Sequence, residues 1–473
     1  MKSTIPFCGP TYKSESRFLS WQECVNFYLR PFGENEYVLL GTPGLELWTT
    51  AGNGPIRASL VEGDYLYVVS GNRFFRVNSV GVAEDLGSVG LLPFVGRVSM
   101  ATNGVDIVIV GGGIGYCYVL AAETLSQITD ADFAGGDVII QVDGYYLVNN
   151  PGTGQIWRSD YLDGSSWSGL AFATAGGDPD IIVSLVADHR DVWIIGEVTS
   201  EIWYNTGAET FNFARIEGAY IEQGGESHYS VTTVNNGVYW LGKDKRGNAQ
   251  VFQASGRQPK TISDPSISRI ISECQLSDAF MFSYQQLGHS FVVLTFPSSD
   301  VTLVYDSSTS LWHERSSHIR GKDVRWRANT HDLFFGEHIV GSFEGGKLYK
   351  MKIDMYDEDG DPLIAVRTTP VVRNKQNAIT VDEACVMNEP GVGLVTGAVE
   401  DVDPHALLSW SRDGGRTWSP EAELSLGKIG EYDGVSRVTQ LGQGRNWVFR
   451  YKISAAVKRV ILGAYIVGEE DDA

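Results

Sequence analysis

The chain has 473 residues, of which 43% are apolar, 20% charged and 11% aromatic, a globular composition that excludes disorder and a length that calls for two or three domains. Its 58 acidic against 37 basic residues leave a formal charge of −21, which speaks against a protein that grips nucleic acid by counterion release, although an acidic wall would also let DNA slide past without sticking. Five scattered cysteines (Cys8, Cys24, Cys117, Cys274, Cys385) suggest buried free thiols rather than a disulfide framework or zinc site; with no membrane-length apolar window and no signal-peptide core, a soluble protein made in a cytoplasm is expected.

In chain order, residues 14–28 carry a weak helical pattern that does not decide between helix and strand. From Asp64 onward one phrase recurs: an alternating aromatic and β-branched run, a glycine-rich turn, and a second run. It begins at Asp64, Asp106, Asp143, Asp191, Asn236, His289 and His338, at intervals of 37 to 53 residues. Each phrase reads as a hairpin with an apolar face that is unstable alone, and repetition at this period is the mark of a β-propeller. Six or seven blades over residues 51–352 are predicted, with residues 1–50 as an extended segment packing on them. One stretch departs from the strand pattern: "SDPSISRIISECQ" offers Ser263 or Asp264 as N-cap, Pro265 in the first turn, and Ile267, Ile270, Ile271 and Cys274 on one helical face. Residues 353–473 lack the blade phrase and read as a C-terminal β-sandwich-like domain. The fold class is therefore all-β.

Several stretches invite a functional reading. Ser411, Asp413, Gly415, Thr417 and Trp418 spell S-x-D-x-G-x-T-W, the Asp-box signature known from sialidases. Its carboxylate should bind the N–H groups of its own turn while Trp418 packs inward, so a structural hairpin is expected; "LDGSSWS" at 162–168 is a degenerate echo. "VGGGIGY" at 110–116 misses the last glycine of a dinucleotide fingerprint and reads as a blade turn. "GTPG" at 41–44 suits a type II turn with Pro43 and Gly44 at its centre. His189, beside Asp188 and Arg190, reads as a blade-edge hydrogen-bonder. Asp357, Asp359 and Asp361 fall at the first ligand positions of a calcium loop, but Thr368 stands where its glutamate belongs, so a polar turn is expected and no cofactor. Arg320, Lys322, Arg325 and Arg327 around Trp326 form a candidate contact patch for an acidic neighbour or a phosphate backbone. No residue is a candidate for catalysis or for metal binding by histidine.

A series of phrases resembles the phage stabilisation protein family, the packaged-DNA stabilisation or tail-nozzle proteins of short-tailed bacteriophages. They run in order from "CVNFYLRP" and "VLLGTPGL" through "YLYVVSGNRFFRV", "QVDGYYLV", "DHRDVWIIGEVTSEIWYNTG", "RIEGAYIEQGG" and "VYDSSTSLWHERSS" to "LSWSRDGGRTWS" and "GRNWVFRYKIS". The resemblance implies a non-enzymatic hub in the virion tail, assembled in the host cytoplasm. It implies a homo-hexamer bound to a head-to-tail adaptor and a tail needle or plug, with tailspikes or fibres as further neighbours. Double-stranded DNA would pass through without specific binding, and the chain would insert in no membrane. The alternative is a sialidase-like or glycan-binding propeller.

Overall fold

The computed structural model describes residues 2–471 except 34–35, 94–95, 177–179, 244–246 and 376. Five four-stranded antiparallel sheets follow one another over residues 56–88, 99–127, 139–174, 182–221 and 231–261, and four antiparallel strands over 280–314 make a sixth blade at one end of a larger sheet. A seventh takes three strands from residues 328–352 and its outermost one, Gly44–Thr50, from far upstream, antiparallel to Lys347–Lys352. The innermost strands touch in sequence order, and Ala328–Phe334 of the seventh sheet lies against Ile56–Glu62 of the first. The chain thus closes a seven-bladed propeller, and each of the seven repeated phrases supplies the two central strands of one blade.

The period-2 pattern works by dividing its apolar residues between two seams. On Asp106–Gly111, Ile107 and Ile109 pack toward the first blade while Val108 and Val110 pack toward the third. That is why central strands such as His289–Phe296 are buried along their whole length. Seven apolar clusters fill the seven seams; the one between the fifth and sixth blades also takes Ile267 and Ile271 from the helix Pro265–Ser272. Asp264 caps that helix, its carboxylate accepting from the Ile267 N–H at 2.9 Å.

Hairpin turns account for the punctuation between strands. Asp143–Gly144, Asn235–Asn236, Leu287–Gly288 and Phe335–Gly336 have positive φ at both positions, the backbone twist that suits two-residue hairpins. Gly112 and Gly113, in the glycine run at 110–116, do the same at φ 58° and 78°, which makes that run a blade turn. The "GTPG" stretch corrects its expectation. Gly44 lacks the positive φ of a type II turn and instead begins the closing strand, where a Cβ would meet the Asp357 carbonyl oxygen at 2.3 Å.

The second domain is a two-layer sandwich. In one sheet Phe27–Pro31, Tyr37–Gly41, Val460–Asp471, Ala378–Asn388 and Ser436–Gly444 lie in that order, with Lys2–Ile5 also on Val460–Asp471. The other carries Trp21–Val25, Ala365–Thr368, Val448–Ile453, His405–Ser411 and Ala422–Ser425. Between them sits a core that includes Phe27, Leu29, Leu39, Trp447, Phe449 and Tyr451. Residues 1–50 are therefore not an extended cover on the propeller: up to Gly41 their strands belong to the sandwich, and the last of them closes the ring. The segment 14–28 is also extended, with Trp21–Val25 joining the sandwich to the sixth blade through the parallel pair Val25 and Glu314.

Candidate functional site

The Asp box forms the turn after His405–Ser411. Asp413 accepts from the N–H groups of Arg416 and Thr417, both at 2.9 Å, from the Thr417 hydroxyl at 2.6 Å and from the Ser411 hydroxyl at 2.7 Å. Although partial burial works to raise its pKa, these donors hold the carboxyl well below the usual carboxylate range. Gly415, at φ 88°, takes a conformation that side chains resist. Trp418 is only half-buried rather than packed into the core, and Arg450 lies over its ring at 4.2 Å. The carboxylate is thus committed to its own turn. In the echo at 162–168, Asp163 accepts from Ser165 and Trp167 is buried.

The basic patch and the acidic loop, read separately in the sequence, meet in the structure. Arg327 is buried and ion-paired to Asp361 at 2.6 Å and to Glu358 at 3.2 Å. Trp326 is fully buried, donates its indole N–H to Glu358 at 3.1 Å, and carries the Arg315 guanidinium on its ring at 3.6 Å. Arg325 is buried as well and donates to the Asn329 side chain at 2.9 Å. Of the expected contact patch only Arg320 and Lys322 are exposed, at the tip of the hairpin Ser316–Ile319 and Lys322–Arg325. The alternation of Arg and Trp that looks like a surface motif arises because a buried guanidinium beside a carboxylate can be desolvated. On the acidic side, Lys347 holds Asp359 at 2.6 Å, Arg327 holds Asp361, and Asp357 lies near the Gly360 N–H. Two of the three carboxylates proposed for calcium thus already have protein cations. Glu358, the most buried carboxylate of the network, has no motif to announce it; its only sequence signal is its place between the aspartates.

His189 sits in a hairpin turn at φ 56°, its Nδ1 3.0 Å from Asp188, and is exposed as a blade-edge residue.

A third arrangement has no sequence signature. At the propeller axis a pocket of about 220 Å³ is lined by residues from all seven blades, among them Ser59, Arg97, Ser99, Ser184, His228 and His331. They lie toward the starts of the innermost strands, on the face where each blade connects to the next. Among the described residues no Asp or Glu lines it. Burial lowers the Arg97 pKa to about 10, and burial together with the neighbouring His338 lowers that of His331 to about 3. Among the described residues no group of three or more histidine, cysteine or carboxylate side chains is placed to hold a metal ion.

A closed propeller whose sixth blade runs into a sandwich defines a protein of propeller–sandwich architecture. Comparison with protein families gives the particular one: the chain belongs to the bacteriophage P22 Gp10 family, matching its β-propeller over residues 22–356 and its β-sandwich over residues 365–469. This makes it a structural protein of a phage tail and a component of the virion. Comparison with curated protein sequences gives no match. Among solved structures it is similar to YCF48 bound to D1 peptide, at 12% identity and TM-score 0.41, covering 66% of this chain and 97% of that one. It is also similar to the N-terminal domain of Nup159, at 9% identity and TM-score 0.40 with 70% and 98% covered. A third is PorZ of Porphyromonas gingivalis, at 10% identity and TM-score 0.39 with 80% and 46% covered.

Proposed function

We propose that the protein is the tail nozzle, or hub, of a short-tailed phage. Six copies would ring the channel below the portal and head-to-tail adaptor, hold the packaged genome in place with a needle or plug, and form the conduit when DNA leaves. The observation that carries this reading is the match of both domains, in order, to one phage tail family. The physics agrees with the role. Propeller and sandwich share hydrogen-bonded strands, so a load on one is borne by the other. Six chains would bring a formal −126, and whatever part of it lined a bore would keep DNA from adhering. A ring repeats each weak contact six times, and Arg320 and Lys322 remain exposed for an acidic neighbour.

A non-enzymatic role fits the same picture. The Asp-box carboxylate is consumed by its turn, which leaves it unavailable for acid–base work. The test is cryo-electron microscopy of the protein mixed with capsids that carry portal and adaptor, alongside a fluorogenic sialoside assay. Six copies ringed below the adaptor with no sialoside turnover are expected; a monomer that ignores the capsid would overturn the reading.

A further inference from the structure

The two ends of the sandwich differ in charge and in shape. At one end the strand Ala378–Asn388 and the loop after Ala422–Ser425 frame an open pocket of about 300 Å³, lined by Met387, Pro390, Leu426, Val435 and Tyr465 among others. Among the described residues no charged side chain lines it. Val435 is 61% exposed, and Tyr432, which lies over Gly391 beside the pocket, is 62% exposed. Apolar side chains left uncovered around an open hollow mark a contact site. The rim is acidic: Glu431 and Asp433 are exposed, and among the described residues neither pairs with a cation. Lys428 gives Glu431 only its backbone N–H, at 3.2 Å, because its ammonium is held by Asp403 at 3.1 Å.

The other end, about 20 Å away along the seven-residue strand His405–Ser411, is the Asp-box end. There the turn of residues 14–20 is closed by the Ser14 N–H on the Ser20 carbonyl at 3.0 Å and by the Leu19 N–H on the Ser16 carbonyl at 2.9 Å. It holds out Leu19, 65% exposed. Two arginines pin the turn to the Asp box: Arg17 donates to the Gly415 carbonyl at 3.3 Å, and the Arg416 guanidinium lies 4.6 Å from the Phe18 ring centre. Arg17, Arg412 and Arg416 are exposed, and among the described residues none has a carboxylate partner; Glu15 is the turn's one acidic residue. On a chain of formal charge −21 this is a basic knob with an apolar tip.

We infer that these two ends meet between copies of the chain: Leu19 of one copy enters the pocket of the next, and Arg17 and Arg416 face Glu431 and Asp433 on its rim. The pocket has room for a leucine side chain, and a turn already fixed by its own hydrogen bonds gives up little freedom on docking. Opposite charge on the two surfaces selects this pairing and rejects an acidic tip. Because the surfaces differ, the contact is head-to-tail, the kind that generates a ring when the rotation closes. The inference deepens the ring proposed above and takes its partner copy from that reading.

The test mixes capsids that carry portal and adaptor with the full chain, with Leu19→Asp, or with a Leu19→Cys/Val435→Cys double variant treated with a short bis-maleimide. Within one chain the two thiols stand at opposite ends of the sandwich, about 20 Å apart, so a bridge must join two copies. A ladder of linked chains is expected from the double variant and from neither single variant, which controls for the five native cysteines. Leu19→Asp should melt as the parent does yet need about tenfold or more protein to fill the ring, read by cryo-electron microscopy. A parent that forms rings while the double variant gives no ladder, or a Leu19→Asp variant that assembles as the parent does, overturns the contact and leaves the ring standing. A parent that forms no ring overturns both.

Discussion

Single side chains here carry charge into the interior under close supervision. Glu358 is 1% exposed and answers both Arg327 and the Trp326 indole, so Glu358→Gln keeps one hydrogen bond and strands a buried guanidinium on Asp361. A loss of about 3 kcal/mol is expected from denaturant midpoints, since breaking a buried pair from one side costs more than the pair ever contributed. The Asp box is exposed by comparison, and Asp413→Ala should cost about 1–3 kcal/mol through the stranded turn donors while leaving assembly geometry intact. Burial also lowers the pKa of His313 and His331 to about 3 and raises that of Asp332 to about 7. Between pH 6 and 4 the unfolded chain binds a proton at each histidine that the native state refuses. Asp332 works the other way, protonated in the native state and ionised in the unfolded one over most of that range. From these three groups alone, two deficits against one surplus make stability fall with acid by about 1.4 kcal/mol per pH unit. His313→Phe, beside Phe291, should flatten that slope in melting curves taken from pH 7 to 4, and an unchanged slope would refute the assignment. Asp332→Asn should raise the melting temperature at pH 8, where ionising the buried carboxyl is a burden on the native state. At this scale the sequence was legible only where a chain-local motif exists. Ser411 to Trp418 could be read because each partner lies within a turn of the next. Arg327 and Glu358 could not, because a buried cation and an exposed one are spelled alike and the pair is decided by packing.

Elements were far more legible than sites. The seven phrases located the central strands of every blade because those strands must bury both faces, and that demand writes an apolar run bounded by turns. Pro265 and the isoleucine spacing gave the helix for the same local reason. The closing strand Gly44–Thr50 escaped notice because it is separated from its partner by some three hundred residues, and only its partner makes it a blade strand. Its first residue is a sensitive point. A Cβ at Gly44 would meet backbone atoms of Asp357 and Met355, which cannot swing aside as a side chain can. Gly44→Ala is therefore expected to loosen the closing strand from the rest of the seventh blade. Hydrogen exchange should show faster exchange in Gly44–Thr50 and Lys347–Lys352 than in Asp106–Gly111, and uniform protection would count against ring closure by this strand.

For the whole molecule, the two family-matched spans are not two independent folding units. Residues 365–469 contain most of the sandwich but lack Phe27–Pro31, Tyr37–Gly41 and Trp21–Val25, with Phe27, Leu29 and Leu39 from its core. Expressed alone, that span should stay unfolded or aggregate through its unpaired edges, whereas the full chain should melt in a single calorimetric transition. A folded, monomeric 365–469 fragment would show that the early strands are accessory. The pairing of Lys2 with Val467 has a temporal meaning as well. On a ribosome that adds about 5–20 residues per second, the first strand must wait roughly half a minute or more for its partner to emerge. Until then the sandwich edge stays open and the first strand is unpaired, so this sheet is completed only after the last strand has been made.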